Sequence, residues 1–181
     1  MTTIKLANIL TLQECKEIEE SLKSIENKNI EKGGFCANSV GYYNAPETLK
    51  YVDRFESLIK STGVNIAFEN TYTRSYKVGS FLKIHTDRKN LDFTISLCIK
   101  KDVNWPLNIS SKRIYIPDNE SGGWNPILEP DYWAKDFVAF DNDPGDAVLA
   151  EGRKYPHWRE QIECNDDQEN IYAFYHWRQI K

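Results

Sequence analysis

Lys83-Ile84-His85-Thr86-Asp87 carries an imidazole and a carboxylate two residues apart in a stretch that reads as a β-strand. Side chains at i and i+2 share one face of an extended segment, so His85 and Asp87 can reach the same ion. Two histidines and one carboxylate on one face of a metal suit non-haem Fe(II) and leave positions open for oxygen and a cosubstrate. The chain has three histidines, His85, His157 and His176. His157 stands in Lys154-Tyr155-Pro156-His157-Trp158-Arg159-Glu160, ahead of a last β-rich stretch, and is taken as the third ligand. A histidine-x-aspartate pair also occurs by chance on surface strands. The bland reading of His176 is a structural or pocket-wall residue, because the triad is complete without it.

Several function classes are narrowed by composition. The 181 residues suffice for one domain with a true core, and 40% hydrophobic with 13% aromatic content marks a folded chain. A net charge of −4 argues against a large nucleic-acid footprint. Cys15, Cys36, Cys98 and Cys164 show no CxxC pairing, which fits buried thiols in a reducing compartment rather than a zinc knuckle or a disulfide framework. The N-terminus has no basic-then-apolar signal and no apolar run reaches bilayer length, so a cytoplasmic protein with no membrane partner is expected.

The elements that must position the site follow from periodicity. Thr11 and Glu14 have capping-box spacing, and Leu12, Cys15, Ile18, Leu22 and Ile25 recur as one helical face, predicting a helix near 11–26. Residues 27–34 read as loop and 35–43 as a short strand. Pro46 near a start, Leu49, Val52, Phe55 and Leu58 on one face, and Gly63 past the end predict a second helix. From Asn65 the pattern turns to strands: 65–68, 70–76, 81–87, 91–100, 105–110, 113–116, 137–140, 147–150 and 171–178, with turns at 77–80, 88–90 and 142–146. Residues 118–131 hold Gly122, Gly123, Pro126 and Pro130 and read as a long surface excursion, flanked by Trp124, Tyr132 and Trp133 as a lid or as packing. Two helices followed by many short strands imply a mainly β fold with N-terminal helices packed on a sandwich or barrel.

The stretch from Thr73 to Asp87 resembles the core of the 2-oxoglutarate and Fe(II)-dependent dioxygenases, on the prolyl 4-hydroxylase-like branch. There a tyrosine precedes a glycine turn and a histidine-x-aspartate strand, as Tyr76, Gly79, His85 and Asp87 do here. Pro144-Gly145-Asp146-Ala147-Val148-Leu149, Gly152 and Tyr155–Glu160 are similar to the later half of the pattern. The resemblance runs from about Leu6 to Arg178 and is weakest across 112–135, which looks like an insertion. It implies a double-stranded β-helix, a cupin-like jelly-roll with two helices on its major sheet: a helical part over about 1–63, a core over about 64–181, one domain in all. It implies Fe(II), 2-oxoglutarate and O2, with ascorbate as a candidate stimulant. The expected chemistry is decarboxylation of 2-oxoglutarate to succinate coupled to hydroxylation of an unactivated C–H bond. Asp87 favours that outcome, because related halogenases lack the carboxylate. The substrate class stays open between a small molecule, an amino acid and a peptidyl side chain, and the oligomeric state stays open too.

In the family a Lys or Arg about ten residues beyond the second histidine holds the distal carboxylate of the cosubstrate. Here that position falls in Asn165-Asp166-Asp167-Gln168. Arg159, two residues beyond His157, is the first substitute, with Arg74 and Lys100 behind it. Tyr76 is assigned as the hydroxyl partner. Thr94, Ser96 and Cys98 alternate along one strand face and, with His176, line the cosubstrate pocket. Two other readings compete: a non-catalytic jelly-roll that holds a metal or a sugar, and a nucleic-acid demethylase of related fold. The acidic charge and the lack of a basic, aromatic-interleaved patch count against the second.

Overall fold

The computed structural model describes residues 3–33, 36–114 and 128–180. In chain order the elements are β1 (Ile4–Leu6), α1 (Leu12–Leu22), β2 (Asn29–Gly33), β3 (Cys36–Tyr43), α2 (Pro46–Leu49), α3 (Val52–Lys60), β4 (Ile66–His85) and β5 (Phe93–Lys101). They continue with β6 (Leu107–Ser110), α4 (Pro130–Trp133), β7 (Phe137–Phe140), β8 (Ala147–Ala150), β9 (His157–Arg159) and β10 (Asn170–Gln179). The strands form an antiparallel, nearly closed jelly-roll, and the helices are mostly N-terminal.

Helix α1 starts where the capping box places it. Glu14 N–H donates to Thr11 Oγ1 at 3.2 Å, and Thr11 N–H donates to Glu14 Oε2 at 2.8 Å. It buries Cys15, Ile18 and Leu22 and ends at Leu22, although Ile25 still packs against the same core. The second periodic stretch divides in two. Thr48 Oγ1 donates to the Ala45 carbonyl at 2.6 Å and meets the Thr71 hydroxyl at 2.8 Å, which pins the short α2 to β4. The chain turns at Tyr51 before α3 buries Phe55 and Ile59, and Gly63 takes φ +82° beyond its end. Each fully buried apolar side chain on this face contributes roughly 1.5–3 kcal/mol.

β4 positions everything else. Its first half pairs with β10, from Ile66 opposite Gln179 to Tyr76 opposite Asn170, and with β3 on its other edge. Its far end pairs with β9, Leu82 opposite Arg159 and His85 opposite His157. One strand thus passes from the helix-covered sheet into the opposing wall, where β6 and β7 continue beyond β9. The turn expected at 77–80 is a bend inside this strand. Gly79 takes φ +77° there, yet pairing persists: Gly79 N–H donates to Ile162 O at 3.1 Å, and Ile162 N–H donates to Ser80 O at 2.8 Å. Partners on both sides keep the strand from reversing.

β10 divides the interior by its two-residue alternation. Ile171, Ala173, Tyr175 and Trp177 pack under α1 and α3, while Tyr172 and Phe174 face an aromatic interior with Tyr76, Leu82, Cys98 and Trp105. Three strands run where none was expected, β1, β2 and β9. β1 pairs with β8, and β2 folds onto β3 in place of the loop read over 27–34. β2 is polar and gains its place from the ladder with β3 rather than from an apolar face of its own. Of the insertion over 112–135, residues 115–127 lie outside the described residues, and with them half of the strand expected over 113–116 and Trp124, Gly122, Gly123 and Pro126. Among the described residues its end forms the single turn α4. No helix among the described residues is long and apolar enough to cross a membrane.

Candidate metal centre

His85 and Asp87 leave the end of β4 while His157 opens β9, and the register places the two histidines opposite one another. One ligand atom from each of His85, Asp87 and His157 lies within 4.8 Å of the other two. Asp87 Oδ1 is 3.9 Å from His85 Nε2 and 3.7 Å from His157 Nε2. Both imidazoles are oriented alike. His85 Nδ1 is 2.8 Å from the Lys83 carbonyl and His157 Nδ1 is 3.0 Å from the Tyr155 carbonyl. A carbonyl accepts only, so Nδ1 carries the proton in each ring, and each Nε2 turns its lone pair toward the Asp87 carboxylate.

Electrostatics agree with this arrangement. Burial, then the neighbouring His157, hold His85 well below the ordinary imidazole value, so it stays neutral. Burial alone would raise the Asp87 carboxyl, but His157, His176, His85 and the Thr94 hydroxyl outweigh it and keep the group an anion. Thr94 Oγ1 donates to Asp87 Oδ2 at 2.5 Å, which directs Oδ1 at the histidines. Gly152 closes the other side: its carbonyl accepts from Asp87 N–H at 2.9 Å, and an added Cβ would collide with Asp87 Oδ2. An N2O set of two imidazoles and one carboxylate suits a divalent first-row metal and leaves the rest of the coordination sphere to other ligands.

Behind the metal ligands lies the aromatic interior, where Tyr76 and Arg159 are buried together. Arg159 is 1% exposed. Its Nη1 donates to the Trp105 carbonyl, and its guanidinium lies over the Tyr172 ring, 3.8 Å from the centroid. Among the described residues Nε and Nη2 have no hydrogen-bond partner, and neither has the Tyr76 hydroxyl. Two cationic donors and a hydroxyl buried without acceptors cost several kcal/mol unless a ligand supplies them. A carboxylate matches that need in charge and in donor count. The two other basic candidates are engaged elsewhere. Lys100 meets Glu169 and Asp102 at 3.2 Å and Glu19 at 3.7 Å, and Arg74 is bound to Glu31.

Of the strand face read as pocket lining, Thr94 meets Asp87 as described, Ser96 is buried with a hydroxyl unpartnered among the described residues, and Cys98 joins the aromatic interior. Burial pushes the Cys98 thiol up to about 12, so it stays protonated. His176 is no ligand of the cluster. Its Nδ1 is 2.8 Å from Asn70 Oδ1, and it lines a cavity of about 330 Å³ whose floor holds His85, Asp87 and His157. The other walls of that cavity include Glu31, Tyr72, Leu91, Leu107 and Phe174. Sequence reasoning missed this group. Tyr72, Arg74 and Tyr76 alternate along one strand and were legible as a shared face. Glu31 lay in a stretch read as loop, with no signal to link it to Arg74.

No protein-family model and no curated protein matches this chain. Solved structures match across nearly its whole length. A prolyl-4-hydroxylase from Pseudomonas putida aligns at TM-score 0.68 and 12% identity, covering 99% of this chain and 93% of its own. A viral collagen prolyl hydroxylase from Paramecium Bursaria Chlorella virus-1, determined with 2-oxoglutarate, aligns at 0.63 and 14%, covering 99% and 97%. The non-heme alpha ketoglutarate dependent carbocyclase SnoK from nogalamycin biosynthesis aligns at 0.70 and 14%, covering 97% and 79%. At these identities the likeness is one of fold. The fold is that of the 2-oxoglutarate-dependent oxygenases, and the histidine-x-aspartate…histidine set stands within it.

Proposed function

We propose that this protein is an Fe(II)- and 2-oxoglutarate-dependent oxygenase that hydroxylates an unactivated C–H bond. One observation carries the reading: in a jelly-roll of the oxygenase kind, a two-histidine, one-carboxylate cluster occurs with an arginine two residues beyond one of its histidines and a tyrosine, both buried without acceptors among the described residues. His85, Asp87 and His157 would hold the iron, and Arg159 with Tyr76 would hold the far carboxylate of 2-oxoglutarate. When bound, the pair supplies oxygen activation coupled to decarboxylation of 2-oxoglutarate to succinate.

The chain's own residues do the positioning. The Lys83 and Tyr155 carbonyls fix the tautomers of both histidines, and Thr94 fixes the carboxylate. Tyr172 and Trp105 brace the Arg159 guanidinium in a water-poor interior, where its pull on a carboxylate is strongest. Leu107, Phe174 and Leu91 keep the open side of the cluster largely apolar. A metal- or sugar-binding jelly-roll without catalysis gives no reason to bury Arg159 and Tyr76 unpaired. The test is oxygen-dependent succinate release from 2-oxoglutarate with Fe(II). Release in air that stops under argon supports the oxygenase. Tight Fe(II) binding with no release in any substrate mixture contradicts it.

A further inference from the structure

The wall of the cavity above the metal ligands carries a buried ion pair that the reaction core does not use. Arg74, 8% exposed, donates from Nη2 to Glu31 Oε1 at 3.0 Å and from Nε to the same oxygen at 3.3 Å. Tyr72 Oη adds a third donor to Oε1 at 3.0 Å, and Ser39 Oγ reaches Oε2 at 3.3 Å. Three donors thus converge on Oε1, while Oε2 has a single long contact. Beyond Glu31, Arg74 also faces Tyr76. Both residues line the cavity that holds His85, Asp87 and His157, and Arg74 is close enough to disfavour protonation of His85 and His176.

A salt bridge placed only for stability gains little from facing a substrate chamber, and a buried one is often no better than an apolar pair. Here it gives the wall a fixed positive and a fixed negative group side by side, with Glu31 Oε2 the less occupied oxygen. A ligand with a carboxylate alone would meet repulsion from Glu31, and one with an amine alone would meet repulsion from Arg74. A group that carries both charges on one carbon meets neither. The rest of the chamber, Leu82, Leu91, Leu107 and Phe174, suits an apolar body, and Arg88 stands exposed at its rim. Enclosure of about 330 Å³ matches a small molecule rather than a folded partner.

We infer that the substrate is a free α-amino acid with an aliphatic or aromatic side chain, its carboxylate held by Arg74 and its ammonium by Glu31, with the side chain laid toward the metal cluster. This rests on the oxygenase reading and deepens it by naming the substrate class. An N-acylated residue or a peptide backbone lacks the ammonium and leaves Glu31 unmatched.

The test uses the anaerobic Fe(II)–2-oxoglutarate holoprotein and its visible charge-transfer absorption. Each of the twenty standard amino acids is titrated, together with its N-acetyl and methyl-ester derivatives. The inference expects an apolar free amino acid to perturb the band and to raise succinate release in air at least tenfold. Both derivatives should bind at least tenfold more weakly. Glu31→Gln should erase the preference for the free amine over the N-acetyl form while leaving the 2-oxoglutarate requirement within threefold. The comparison of derivatives on the unaltered protein does not depend on that variant folding. A band that forms but responds to no free amino acid, or responds equally to the N-acetyl forms, overturns the inference and leaves the oxygenase standing. A band that never forms removes the oxygenase reading and this inference with it.

Discussion

Replacing Arg159 with leucine separates a structural arginine from one kept for a ligand. In the ligand-free protein Arg159 is 1% exposed, with Nε and Nη2 unbonded among the described residues. Leucine forfeits the bond to the Trp105 carbonyl, about 1 kcal/mol, and the contact with the Tyr172 and Trp105 rings, roughly 1–2 kcal/mol. It also removes a buried charge whose desolvation is poorly offset, a gain of similar size. Ligand-free stability should therefore stay within about 2 kcal/mol of the parent in a denaturant titration. Binding of 2-oxoglutarate should not. A carboxylate left in this interior with the Tyr76 hydroxyl alone loses about 3–5 kcal/mol, a factor of roughly 10² to 10³ or more in Kd. Calorimetry under argon, with Fe(II) present, measures it. The control ligand is 2-oxopentanoate, which keeps the chain length and lacks the distal carboxylate. Arg159→Leu should bind both ligands alike, whereas the parent prefers 2-oxoglutarate strongly, so the double cycle isolates one contact. A variant that binds 2-oxoglutarate within threefold of the parent refutes the assignment. So does equal loss of both ligands with the fold intact.

Asp87→Ala should abolish Fe(II) retention and succinate release without unfolding the chain, and a folded variant with unchanged turnover would remove Asp87 from the triad. Gly152→Ala forces the Asp87 carboxylate off its present position, and Thr94→Val deletes the bond that orients it. Each should weaken Fe(II) affinity about 10–100-fold by competition against a chelator, while unchanged affinity in both would mean the carboxylate's orientation does not matter. Burial holds His176 near a value of about 4, against 6.5 for a free imidazole. Between pH 6.5 and 4 the unfolded chain takes up a proton that the folded one refuses, so metal-free stability falls by about 3 kcal/mol as pH drops through that window. His176→Gln should remove this component in denaturant titrations at pH 7 and pH 4.5, and an identical pH loss in both proteins would contradict it.

Much of the site was legible from residue types. His85 and Asp87 follow from two-residue alternation, and the placing of Arg159 on the strand of His157 follows from the same argument. The capping box fixed where α1 begins because its bonds are local. What failed to show was non-local. The bend at Gly79 looks like a hairpin turn in sequence, since only the ladders with β3 and the Ile162 segment keep the strand continuous. β2 has a polar composition that signals loop, and it is a strand because β3 pairs with it. The Glu31–Arg74 pair depends on that hairpin closing over β4, an event no local pattern records. The split between α2 and α3 turns on one hydroxyl contact, Thr48 to Thr71.

The central claim is that His85, Asp87 and His157 share one iron that also binds 2-oxoglutarate. Anomalous diffraction at the iron edge, from crystals grown anaerobically with Fe(II) and 2-oxoglutarate, tests it directly. One peak should appear within bonding distance of His85 Nε2, His157 Nε2 and an Asp87 oxygen, with the far carboxylate of the cosubstrate on Arg159 and Tyr76. A peak elsewhere, or a cluster that stays metal-free at saturating iron, would contradict the account.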